Sequence, residues 1–207
     1  MWFNPINNST WYIIPGLIVL IVTLVGTFLT ALVMAREWER GTLEAIFVSP
    51  VHPLEIILGK IIPYFCIGFL GLLICMSAGK LLFEVPLHGS LLLLYAFSMV
   101  YLIITLAIGL LVSSITRNQF IASQISVLLS FLPCLMFSDF IFDLRNGPDF
   151  VYYVGHLLPS TYYLAAIKTI YLAGDYYPLL MKNGLILLGY MFVLIGITVR
   201  NTKKTLD

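Results

Sequence analysis

The chain alternates long apolar runs with short polar breaks, and the lengths of those runs set its architecture. Residues 1–35 hold no Asp, Glu, Lys, Arg or His. Asn4 to Thr10 are polar and turn-like, Trp11 and Tyr12 suit a membrane interface, and Pro15 marks a helix start. The run 13–35 is then long enough to cross a hydrocarbon layer about 30 Å thick. The runs 54–82, 91–115, 119–138 and 179–199 repeat the pattern. Pro63 falls near the start of the second and Pro133 predicts a kink in the fourth. The expected fold is therefore an all-α integral membrane domain over residues 1–207, with about five transmembrane helices. Between 139 and 175 the sequence turns polar and aromatic, with Asp139, Asp143, Arg145, Asp149, Tyr152 and His156. The helical pattern of Pro159 to Leu172 is too short to cross, so this region reads as an external re-entrant helix pair.

One break is unlike the others. Residues 36–53, read with Glu55 and Lys60, carry seven of the 21 charged side chains of the whole protein. From Gly41 a short helix is expected, with Thr42 as its N-cap and Leu43, Ile46 and Phe47 on one face. Glu44 falls off that face. Ser49-Pro50 and His52-Pro53 then bias the backbone away from the helical region, which ends this helix and restarts another. Such a stiff elbow suits contact with a second protein, and Glu39 and Glu44 are the side chains placed to make it. Arg36 and Arg40 could instead pair with neighbouring glutamates at helical spacing, and the whole break could be a plain membrane anchor.

Composition narrows the function. With 60% hydrophobic and 10% charged residues, the chain departs from the roughly 25% charge of soluble domains. Its net charge of +1 offers nothing to nucleic acid. Cys66, Cys75 and Cys134 are odd in number and sit in apolar runs, which implies no disulfide framework. Basic residues concentrate in one set of loops: Arg36, Arg40, Lys60, Arg117, Arg200, Lys203 and Lys204 against Lys80, Arg145, Lys168 and Lys182. The positive-inside bias puts the elbow and the C-terminus in the cytoplasm.

Ion-coupled carriers place ionisable groups at mid-membrane, and every apolar run here lacks them there. No phosphate-binding G-x-x-x-x-G-K-[ST] loop occurs either. No nucleophile–base pair or metal-ligand spacing is recognisable among His52, His88 and His156, so no catalytic, cofactor or metal residues are assigned. Any energy must come from a partner at the elbow. Asp139, Asp143, Asp149 and His156 are the only polar group that a membrane lipid-modifying enzyme could use.

Arg36-Glu37-Trp38-Glu39-Arg40-Gly41-Thr42-Leu43-Glu44, with Ser49-Pro50, Pro53-Leu54-Glu55 and Gly59-Lys60, resembles the cytoplasmic coupling loop of type-2 permease subunits of ATP-binding cassette exporters. Phe140-Ile141-Phe142 and Leu157-Leu158-Pro159-Ser160-Thr161-Tyr162-Tyr163-Leu164 are similar to the same family's external region before its last span. The likeness implies a multidrug-type efflux permease in the inner membrane, coupled through Arg36, Glu37, Glu39, Arg40, Gly41, Thr42, Leu43, Glu44 and Phe47 to a separate cytoplasmic ATPase that binds ATP and magnesium. It implies an external gate that includes Phe140, Phe142, Pro159, Thr161 and Tyr162, and a dimer with a second copy or a sister permease. It also leaves room for a periplasmic adaptor protein. Complete family members begin with one more span, and multidrug-type relatives add an external domain; the chain is thus expected to correspond to a C-terminal portion. Ser138-Asp139 and Asp143 replace small or rigid residues usual beside the Phe-Ile-Phe run. A truncated, non-transporting scaffold or regulator is the rival reading.

Overall fold

The computed structural model describes residues 9–42, 53–83, 85–137 and 149–204. All of its elements there are helical: α1 Ser9–Glu39, α2 Pro53–Phe83, α3 Leu91–Thr116, α4 Gln119–Phe137, α5 Asp149–His156, α6 Pro159–Lys168 and α7 Tyr177–Lys204. A π-helical turn, Thr169–Ala173, extends α6. Four of these helices, within α1, α2, α3 and α7, are long and apolar enough to cross a membrane. The expected run at 119–138 is the 19-residue helix α4.

Two boundaries differ from expectation at the first helix. α1 opens at Ser9, so Pro15 lies inside it rather than at its start. It also runs on through Arg36 to Glu39, so only Arg40 and Gly41 form the turn. Good helix formers occupy 31–39, and nothing stops the helix until Gly41, at φ +68°, takes the left-handed conformation that favours glycine. Residues 36–39 of the expected loop are thus the end of α1, and residues 43–52 lie outside the described residues.

Helix positions follow from burial. Within the apolar windows, 50% of α1 and 44% of α3 is buried, against 22% of α2 and 17% of α7. The first two are the centre of the bundle, and α2 and α7 flank it. α1 packs mainly on α3 and α4, and α3 on α1 and α7. Leucine facing leucine gains little over leucine facing a lipid tail, so association depends on close approach of backbones. Gly26 of α1 sits against Thr105 of α3, and Gly109 of α3 lies against the Thr27 carbonyl and the Ala31 amide of α1. Ala31, Ala35, Val112 and Ala122 make a second small-residue contact that draws in α4. The small residues Ala31, Ala35, Ser126 and Ser130 are buried, and Gly68 meets Leu102. Gly71 has open space around it.

Candidate functional site

The charged end of the bundle is a clamp between helices. Glu37 of α1 forms an ion pair with Lys60 of α2. Two residues on, the Glu39 carboxylate accepts a 2.8 Å hydrogen bond from the Gln119 backbone N–H, which opens α4. A carboxylate there is stabilised by the orphan donors and the positive end of the helix dipole. Between them, the guanidinium of Arg117 lies 4.9 Å from the centre of the Trp38 ring. Arg117 itself holds φ 50° and closes α3 by donating its N–H to the Ser113 carbonyl at 2.9 Å. This left-handed residue is what lets α3 and α4 join across two residues. Asn118 adds a side-chain acceptor for the Ile121 N–H at 3.0 Å.

The consequence for the predicted residues is specific. Among the described residues, Glu37 reaches Lys60 and Glu39 reaches Gln119. The Thr42 hydroxyl donates back to the Glu37 carbonyl at 3.1 Å, so its contact in the structure ties off α1. Leu43, Glu44 and Phe47 lie outside the described residues.

About four helical turns back along α1 from the clamp, a separate chain of side chains crosses the bundle. Thr23 of α1 donates its proton to the Val19 carbonyl at 2.6 Å, so the 2.6 Å contact with Tyr101 of α3 is made by the tyrosine O–H. The Tyr101 ring stacks on Tyr163 of α6, with centroids 4.1 Å apart. Tyr163 in turn donates to Ser98 Oγ at 2.7 Å, whose own proton goes to the Leu94 carbonyl at 2.7 Å. Each hydroxyl of this chain is satisfied, as a buried polar group must be. One unbroken set of contacts therefore links α1, α3 and α6.

The short helices α5 and α6 form a hairpin that packs along α7 through α6. The Leu157 carbonyl accepts from Tyr190 Oη at 2.8 Å, and Tyr190 lies 13 residues into α7, about 20 Å along its axis at 1.5 Å per residue. Thr161 closes the tip by donating to the Gly155 carbonyl at 2.6 Å, and Tyr162 by donating to the His156 carbonyl at 2.8 Å. Pro159 begins α6, where its missing N–H costs nothing. Pro159, Thr161 and Tyr162 thus lie at the start of α6, and Phe140 and Phe142 lie outside the described residues.

Beneath the tip lies a cavity of about 460 Å³. Leu158 closes one side, Ile108, Leu111 and Ile115 of α3 and Ile125 and Leu129 of α4 form the walls, and Thr23, Thr27 and Ser130 supply hydroxyls. Thr27 and Ser130 bond each other across it. Among the described residues, its lining is apolar apart from the hydroxyls of Thr23, Thr27, Thr116 and Ser130.

At the opposite end from the clamp, the Asp175 carboxylate accepts the Ser90 N–H at 2.8 Å and so caps α3. His88 and Gly89 donate their backbone N–H groups to the Tyr171 and Ile170 carbonyls of the π turn, at 3.3 and 2.9 Å. Nδ1 of His88 also faces the Tyr171 carbonyl at 2.9 Å. His88 is thus a hydrogen-bonded structural residue. Among the described residues no His, Cys, Asp and Glu gather into a metal-binding group.

Sequence reasoning named the clamp glutamates but not their partners. Trp38 inside a charged run and Arg117 directly after a span were the available signals. Nothing in the sequence paired Tyr101 with Tyr163.

Known proteins are similar to this chain over its whole length. The family described as "ABC-2 family transporter protein" matches residues 1–200. "Probable multidrug ABC transporter permease YbhS" of Escherichia coli K12 is 42% identical over 206 residues, covering 100% of this chain and 55% of that protein. "Probable multidrug ABC transporter permease YbhR" of the same strain is 30% identical over 171 residues, covering 83% and 46%. "ABC transporter G family member 20" of Dictyostelium discoideum is 23% identical over 198 residues, covering 95% and 27%. The chain spans about half the length of the curated bacterial relatives it matches. No solved structure matches it.

Proposed function

This chain belongs to the ABC-2 transporter family, and from that premise we propose that it is the membrane-spanning permease part of an ATP-driven exporter. ATP and magnesium bind a separate cytoplasmic ATPase, which seats on the elbow at residues 36–53. The substrate is an apolar or amphiphilic compound that occupies the cavity between α1, α3, α4 and the hairpin tip. The α5–α6 hairpin is a re-entrant element in the outer half of the membrane and forms the gate. The elbow and the C-terminus face the cytoplasm in an inner membrane, and the permease works as a pair with a second copy or a sister permease, with a periplasmic adaptor outside.

The observation that carries this reading is the clamp. An anchor needs only charge at the membrane surface. Here the residues next to the elbow instead lock α1 to α2 through Glu37–Lys60 and to the α3–α4 turn through Glu39–Gln119 and Trp38–Arg117. A push on the elbow is therefore delivered to the helices that wall the cavity, and through Thr23, Tyr101 and Tyr163 to the gate hairpin.

Co-purification with the companion ATPase tests it. The wild-type chain retains the ATPase, and Gly41→Val with Glu44→Lys weakens retention at least tenfold. Undiminished retention in that variant overturns the coupling site and leaves a non-transporting scaffold as the better reading.

A further inference from the structure

A second cavity, of about 300 Å³, lies at the end of the bundle remote from the clamp. Its position is set by three elements: the last turns of α2, the first turn of α3 and the π turn after α6. Leu81, Leu87, Leu91 and Leu94 line it, and Lys80, Ser77, Tyr95 and Tyr171 bring an ammonium and three hydroxyls to it. Ser77 sends its proton to the Leu73 carbonyl at 2.5 Å, which leaves its oxygen as an acceptor only. Among the described residues, no carboxylate lines the space.

We propose that this cavity binds an anionic phospholipid, with the headgroup phosphate at Lys80 and an acyl chain against the leucines. Three features fit this occupant. The volume is at the lower limit of small-ligand sites, enough for a headgroup and part of one chain. The cationic group sits at one end of an apolar wall, matching an amphiphile and not a soluble anion. Lys80 stands in the last turn of a membrane-crossing helix, the depth at which headgroups lie. A lysine that served only the α2 C-terminus would need no such walls.

The π turn gives the site its shape. It places Tyr171 as a buried wall, while its backbone carbonyls at Ile170 and Tyr171 are held by Gly89 and His88. A lipid seated there would brace α2, α3 and the segment after the hairpin together. The proposal stands on this cavity alone and does not require the exporter reading.

The test is native mass spectrometry of the purified full chain after incubation with vesicles of equal phosphatidylglycerol and phosphatidylcholine, with no ATPase present. The wild type retains the anionic lipid about fivefold over the zwitterionic one, the factor one interfacial lysine contributes. Lys80→Gln brings the ratio to about one, and Lys182→Gln, at a lysine outside the cavity, leaves it unchanged. Ser77→Trp keeps the charge but fills the space, and it also loses the bound lipid while its melting temperature shows a folded chain. Equal retention of both lipids by the wild type overturns the proposal. So does full retention by either Lys80→Gln or Ser77→Trp, the second of which would mean a simple charge anchor.

Discussion

Gly109→Ala probes the contact on which the bundle is centred. A Cβ at position 109 would stand 2.5 Å from the Thr27 carbonyl oxygen, 2.9 Å from Thr30 Cβ and 3.2 Å from the Ala31 amide. Ordinary contact begins at 3.4 Å, so α1 and α3 must part by most of an ångström. The obstructing atoms are largely backbone, which cannot rotate away. Overpacking of this kind costs about 1–3 kcal/mol. Alanine returns about 0.5–1 kcal/mol through its higher helix propensity, so the net loss is up to about 2.5 kcal/mol. For a chain of this size that lowers the melting temperature by up to roughly 10 °C. Thermal unfolding in detergent, followed by a thiol-reactive or intrinsic fluorescence signal, measures it. Gly196→Ala is the control, because nothing lies within 4 Å of that position, and it should melt at or slightly above the wild type. Gly109→Ala melting with or above Gly196→Ala would refute the packing argument.

Other perturbations separate the parts of the account. Tyr163→Phe removes one buried hydrogen bond to Ser98 and should cost about 1 kcal/mol in thermal unfolding, with the Tyr101 stack preserved. Asp175→Ala removes the acceptor from the Ser90 N–H and should cost about 0.5–2 kcal/mol; Asp175→Asn, which keeps an oxygen there, should cost less. Trp38→Leu and Arg117→Gln should each weaken the clamp by about 0.5–1 kcal/mol, and the double variant should show clear non-additivity in the same melting assay. Glu39→Gln should leave ATPase retention intact yet reduce ATP-coupled gate opening, because Glu39 is held on the α4 amide and not free for a partner.

The sequence carried the class of this protein plainly, since a 31-residue helix such as α1, uncharged until Arg36, has few other readings. Helix ends were less legible. Arg36 to Glu39 look like a loop by charge, but glutamate and arginine are good helix formers and the helix stops only where Gly41 turns. Pro159, Thr161 and Tyr162 were singled out by the likeness to the exporter family and not by any pattern of their own. Partners across helices were not, because pairs such as Glu39 with Gln119, or Tyr101 with Tyr163, depend on how helices cross, and hydrophobic periodicity says little about that when both faces of a helix are apolar.

The central claim is that force applied at the cytoplasmic elbow opens the hairpin gate. Leu158 lines the cavity directly under the hairpin tip, so a cysteine there reports the gate. With Cys66, Cys75 and Cys134 replaced by serine, Leu158→Cys is reconstituted with its ATPase and exposed from the external side to a membrane-impermeant maleimide. The account predicts that labelling is slow at rest and accelerates when ATP is supplied to the ATPase. An unchanged labelling rate, while the bound ATPase hydrolyses ATP at its normal speed, would contradict it.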